Sequence, residues 1–181
     1  MQSSQLKRKI PSKCYDFKLD LETTKKLEAE FRKSIGSPEP NNNTYDASHE
    51  NICLELKFDH IIANTNNLFL EIHSSYNPNK YGGVIRAAQD EIPFFIYIDV
   101  IKNYSYVFDS NILANFQIEN WNNYEVKDVQ NIGYLTYGHI IPLNHVIDLC
   151  ICVCKLSKRS EIGPMIYRIE EYFINVLGGS I

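Results

Sequence analysis

Asp46, Glu55 and Lys57 are the residues of this sequence whose types and spacing suit a definite chemistry. They stand as TYD, ending at Asp46, followed by LELK, which carries Glu55 and Lys57. Two carboxylates can hold one or two Mg²⁺ ions through oxygen ligands. A metal held in this way polarises a phosphoryl oxygen and lowers the pKa of a bound water. An ammonium group two residues along a strand lies about 6.6 Å from the glutamate backbone and on the same face. There it can orient the attacking water and stabilise charge on a pentavalent phosphorus. The backbone carbonyl of Leu56 is a further candidate ligand, and an oxygen-only set favours Mg²⁺ or Mn²⁺ over zinc. Together these residues suit metal-assisted phosphodiester cleavage.

A strand must carry them, and the pattern around them is a strand's. Ile52, Leu54, Leu56 and Phe58 alternate with Cys53, Glu55, Lys57 and Asp59, which puts the charges on one face. Upstream, Asp20 offers an N-cap to a helix in which Leu27, Phe31 and Ile35 recur every four residues, and Gly36 and Pro38 stop it. Downstream, ANTNN reads as a turn and LFLEIHSS as a second strand, so a hairpin is expected. GVIRAAQDE predicts a short helix, PFFIYIDVI a central strand buried on both faces, and YSYVFD a strand beside it. SNILANF predicts a helix capped by Ser110, and LCICVCKL either a strand or a buried helix. On a strand, Cys150, Cys152 and Cys154 share one face as small buried apolar residues. Ile166, Ile169, Phe173 and Val176 stand at helical spacing near the end. The stretch from Asn120 to Leu143 carries no clear period.

An upstream acid, a Glu-x-Lys strand and a preceding helix that carries acids make the chain resemble the PD-(D/E)xK nuclease superfamily, the restriction-endonuclease-like fold. The likeness is strongest to its small phage-type members, in the run ELKFD, NTNN and LFLEI, then GGVIRAAQDEIPFFIYIDV, and later GYLTYGHIIPL. It covers roughly residues 20 to 150, with specific motifs only between 46 and 71. The sequence departs from the pattern in having Tyr before Asp46 and only Arg86 as a basic residue in the helix near position 85. The resemblance implies an α/β domain whose mixed central β-sheet is flanked by helices. It implies a Mg²⁺-dependent endodeoxyribonuclease, with Mn²⁺ as a substitute, in which Asp46, Glu55 and the Leu56 carbonyl bind metal and Lys57 positions the water. In some relatives a helix glutamate completes the site, a place Glu28 can take; its ordinary alternative is an ion pair with Arg32 at i+4. DNA is the implied partner, and a homodimer follows by analogy with nucleases that cut two strands.

Other readings stand beside this one. Asp59, Glu71 and His73 form a second acid, acid-x-base register, and Glu71 can also join Glu55 in one cleft. Lys80 and Arg86 are candidate phosphate contacts. Tyr76, Tyr81, Tyr134 and Tyr137 can stack on bases, although with 12 tyrosines in the chain most are ordinary core or surface rings. The charged strand face can be a plain ion-pair row. The alternative function is a catalytically inactive module on the same fold that binds nucleic acid or protein; a weaker one is a structural oligomer subunit.

Composition sets the outer bounds. The chain has 181 residues, 44% hydrophobic and 22% charged, which excludes disordered, collagen-like and coiled-coil classes. Net charge is -4, so no strongly basic balance announces a sequence-blind coat on DNA. No apolar run reaches the roughly 20 residues of a membrane helix, and no secretory signal is expected at the start. An odd count of five cysteines suggests reduced thiols and a cytoplasmic, reducing location. Residues 1–17 read as a flexible basic leader and 18–181 as one nuclease-like domain.

Overall fold

The computed structural model describes residues 17–40, 45–131, 133–156 and 159–180, with the backbone alone at 17–21, 131 and 159–161. Most of the expected basic leader lies outside them. Helix α1 spans Phe17–Ile35. Its start precedes Asp20, so Asp20 lies inside the helix and is not its cap. A short strand β1, Ala47–His49, then pairs antiparallel with β2, Ile52–Asp59.

The expected hairpin after β2 does not form. Asp59 accepts hydrogen bonds from Ile61 N (2.6 Å) and Ile62 N (3.4 Å), which starts a helical turn, α2, at Ile62–Thr65. Asn66 at φ 54° then turns the chain away. Strand β3, Asn67–Ser74, therefore leaves the first sheet and pairs antiparallel with Tyr134–Pro142 in a second.

Helix α3 (Gly83–Gln89) returns the chain to β4, Phe94–Asp99, which lies parallel to β2 with Glu55 beside Phe95 and Lys57 beside Tyr97. All six residues of β4 are buried, as a central strand requires. Strand β5 (Tyr104–Asp109) runs antiparallel to it. Helix α4, Ser110–Glu119, is capped by Asp109, not by Ser110. The Asp109 carboxylate accepts from Asn111 N (2.8 Å) and Ile112 N (3.1 Å), while Ser110 Oγ is buried without a partner.

The stretch without a clear period holds β6, Glu125–Asn131, and β7, Tyr134–Pro142, paired antiparallel. Strand β8, Cys150–Lys155, closes the first sheet beside β5, and α5, Arg159–Asn175, ends the fold. A register shift in β8 splits the cysteine row: Cys150 packs on one face of the sheet and Cys152 with Cys154 on the other. Burial and the Cys152 thiol beside it push the Cys150 thiol up to about 12.

The protein is thus mixed α/β: a five-stranded mixed sheet in the order β1-β2-β4-β5-β8 and a three-stranded sheet in the order β3-β7-β6. Helices α1 and α5 cover one face of the large sheet, where Phe31, Ile35, Met165 and Ile169 meet Leu54, Leu56, Phe94 and Ile96. Helices α3 and α4 and the small sheet cover the other, where Val84, Leu113, Leu68 and Leu70 meet Phe95, Tyr97 and Phe108. Among the described residues no helix is long and apolar enough to cross a membrane.

One buried contact ties the two sheets. The Tyr97 hydroxyl on β4 donates to Asp59 Oδ2 on β2 and accepts from Phe69 N on β3 (3.0 Å). Tyr97→Phe leaves both a carboxylate oxygen and an amide without their partner inside the fold, at a cost of about 2–4 kcal/mol. For a chain of this size the expected fall in Tm is about 5–10 °C, read by calorimetry.

Candidate active site

Strand β1 is short, and that opens the site. It pairs with β2 only as far as Leu54, so the β2 edge from Glu55 onward has no strand beside it. The paired register ends at Ala47 with Leu54; Asp46, one residue before it, donates its N–H to Leu54 O (3.1 Å) and lies close enough for its charge to act on Glu55. The Leu56 N–H points to the open edge, and Asp46 Oδ2 accepts it at 2.8 Å. A strand residue's carbonyl points to the same edge as its N–H, so the Leu56 carbonyl faces this opening too.

Here the two sheets and α1 enclose a cleft of about 420 Å³. Glu28, Glu55, Lys57, Asp59, Glu71 and Arg86 line it, with Phe69, Tyr134 and Thr136 of the small sheet as the far wall. Glu55 is buried; Arg86 Nη2 from α3 donates to its Oε1, while Glu55 Oε2 and Arg86 Nε are buried without partners. Lys57 makes no ion pair among the described residues, and its Nζ lies 5.9 Å from the centroid of the Phe69 ring. Phe69 can lie across the sheet because its diagonal neighbour on β7 is glycine: a Cβ on Gly138 would stand 2.5 Å from Phe69 Cζ. Glu28 reaches Arg32 at 4.0 Å, and Arg32 Nη1 in turn donates to the Asp46 carbonyl (3.2 Å).

Three acids of this cluster are harder to ionise than usual. Burial, and then the nearby Asp46 charge, push Glu55 up to about 8 although Arg86 pulls it down. Burial raises Asp46 against the Leu56 N–H, Arg86, Arg32 and Lys57. Burial and Asp46 raise Glu28 against Arg32 and Lys25. At neutral pH these carboxyls therefore lack positive charge, which a proton or a cation can supply.

A divalent cation with oxygen ligands fits this donor set. Glu55 Oε2 is an orphaned, buried acceptor beside Asp46, and the Leu56 carbonyl points to the same opening. Among the described residues no group of three or more His, Cys, Asp or Glu side chains is arranged around one point. Asp46, Glu55 and the Leu56 carbonyl would be the residues to hold such an ion, and all-oxygen donors are what Mg²⁺ takes.

The second register is not assembled. Asp59 is engaged by Tyr97 and α2; Glu71 lies in the cleft against Gly82, and His73 stacks on Tyr137 (4.9 Å) outside it. The register shift between Glu71 and His73 accounts for this, because it sends the two side chains to opposite faces. Lys80 lines a separate groove beside His73 and Trp121. Arg86 is in the cleft, as Glu55's partner. Sequence reasoning missed that pairing, the tie from Arg32 and the role of Phe69, since each joins elements far apart in the chain. No family model, curated protein or solved structure matches this chain.

Proposed function

We propose that this chain is a Mg²⁺-dependent endodeoxyribonuclease on a restriction-endonuclease-like core. The observation that carries the reading is the closeness of Asp46 and Glu55 at an open strand edge, where Asp46 accepts the Leu56 N–H, with Lys57 two residues past Glu55 on the same face. Asp46, Glu55 and the Leu56 carbonyl would hold the ion, and Glu28, near enough to feel the Asp46 charge, is the candidate further ligand. When bound, the ion polarises the scissile phosphate and acidifies a coordinated water. Lys57 does the rest from the protein side. Its ammonium sits over the Phe69 ring without a direct ion pair among the described residues, placed to donate to a phosphoryl oxygen as charge builds there. The sheet wall of Phe69, Thr136 and Tyr134 limits water around it and strengthens that interaction.

Labelled duplex, single-stranded and branched DNA incubated with and without Mg²⁺ tests the proposal. Cleavage that requires the metal and stops with chelator supports it; intact substrate throughout, with Mn²⁺ as well, rejects it.

One observation favours a second reading. The Arg86–Glu55 ion pair already satisfies one metal-binding oxygen, which suits a binding module that has lost catalysis. Arg86→Gln separates the two. If the ion and Arg86 compete for Glu55, the variant binds Mn²⁺ about tenfold more tightly by calorimetry; if Arg86 has replaced the metal in a dead site, neither protein takes up Mn²⁺.

A further inference from the structure

The cleft does not end at its walls. The small sheet continues it as an open surface whose rows follow from the strand register. Phe69 stands beside Ile140, Glu71 beside Gly138, and Ser74 beside Thr136. The pairing runs on past the strand, since Ser75 N donates to Leu135 O (2.7 Å) and Leu135 N to Ser75 Oγ (2.8 Å). The chain then turns, bringing Asn77 back to Ser74, with Tyr76 in the turn and Tyr134 near it around one hollow. A second hollow of about 520 Å³ lies there, lined by Glu71, Ser74, Tyr76, Gly133, Tyr134 and Thr136. Three of those residues, Glu71, Tyr134 and Thr136, also line the cleft, so the two hollows adjoin and offer a ligand one continuous path. From Phe69 to the tyrosines the path runs about 20 Å. Its middle is lined by Glu71, Ser74 and Thr136, and its far end presents Tyr76, 87% exposed, near the half-buried Tyr134.

Charge decides what such a path can hold. Duplex DNA is held largely through phosphates, and a protein that neutralises about six to ten of them does so with Lys and Arg. The described cations on this surface are Lys57, Arg86 and, beside Gly138 on the outer strand, Lys127. Two of them already face carboxylates: Arg86 on Glu55, and Lys127 on Glu125 at 3.5 Å. Glu71 adds a further negative charge to the floor. A ligand here must gain affinity from its rings rather than its charges. Unpaired bases do so, since each offers a face to an aromatic side chain, and sequence matters little.

We propose that the ligand of this cleft is an unpaired nucleic-acid strand, laid across the small sheet with bases stacked on Tyr134 and Tyr76. The inference deepens the nuclease reading by naming its substrate class, and it rests on that reading for the scissile phosphate alone.

The test is binding of labelled single-stranded and duplex oligonucleotides of one sequence, by fluorescence anisotropy in chelator, over a salt series. The wild type is expected to prefer the single strand, with a log–log salt slope corresponding to about three phosphates or fewer. Tyr134→Ala and Tyr76→Ala are each expected to weaken single-strand binding about tenfold to a hundredfold. Tyr134→Phe keeps the ring and is expected to bind as the wild type does, which separates stacking from misfolding; Tyr76 is exposed enough that its loss leaves the fold intact. Equal or tighter duplex binding, unchanged binding in both alanine variants, or no binding of either form overturns the inference. Cleavage is scored apart, in Mg²⁺. Metal-dependent cutting of duplex with indifferent tyrosines keeps the nuclease and rejects the unpaired strand. Tyrosine-dependent binding with no cutting supports the unpaired strand and rejects the nuclease.

Discussion

Glu55→Gln is expected to lower metal-dependent cleavage by about three orders of magnitude or more. The amide keeps the shape of the side chain and removes the charge that a divalent ion requires, and Asp46 cannot replace it because its Oδ2 already accepts the Leu56 N–H. Loss of a single preorganised group that acts on transition-state charge commonly costs 10²–10³-fold. Here the loss also removes one of two carboxylate ligands. Asp46→Asn is expected to fall almost as far, and the double variant hardly further, because two ligands of one ion act as a unit. Single-turnover cleavage at saturating Mg²⁺ gives these ratios. A Glu55→Gln protein within tenfold of wild type would remove Glu55 from the reaction.

The same substitution is expected to stabilise the metal-free protein at alkaline pH. Burial and Asp46 raise the Glu55 carboxyl from its ordinary 4.5 to about 8. Between those values the folded chain binds more protons than the unfolded one, so stability falls as pH rises. The contribution is fully present below about pH 4.5 and is lost as pH passes through about 8. Between pH 5 and pH 8.5 the loss is roughly 3–4 kcal/mol, shared with Asp46 because the two carboxyls titrate as a pair. Glu55→Gln carries no proton to lose, so its unfolding profile should be flatter and should cross above the wild type near neutral pH. Saturating Mg²⁺ should flatten the wild-type profile in the same way, since it binds the ionised pair. Urea unfolding at a series of pH values measures both. A wild-type profile that rises from pH 5 to pH 8.5 would contradict the burial and pairing of these acids. Activity and stability thus pull in opposite directions at one residue.

The strand that carries Glu55 and Lys57 was readable because its face is set by a period of two, and alternation survives any context that buries one side. The same holds for β4, whose unbroken apolar run has few destinations other than the middle of a sheet. The hairpin expectation failed because two adjacent alternating strands do not say which neighbour each will take. Asp59 decided it, by capping a helical turn where a tight reversal was expected. The N-cap at Asp109 was displaced by one residue from Ser110 for a similar reason: either side chain could cap, and the extended backbone at Asp109 selects it. In the site, Asp46 was found from its place upstream of a strand. Its closeness to Glu55 depends on how early β1 ends, which no local pattern records. Arg86 and Phe69 lie on elements that reach the cleft only after the chain has changed sheets.

The central claim is that Lys57 acts on a phosphate held by a metal between Asp46 and Glu55. The most direct measurement compares wild type with Lys57→Ala for two quantities in one preparation: Mn²⁺ uptake by calorimetry and metal-dependent cleavage of labelled DNA. Lys57 is not a ligand, so uptake is expected to persist or strengthen while cleavage falls by at least 10²-fold. Cleavage that survives in Lys57→Ala, or wild-type protein that neither takes up Mn²⁺ nor cuts, would contradict the account.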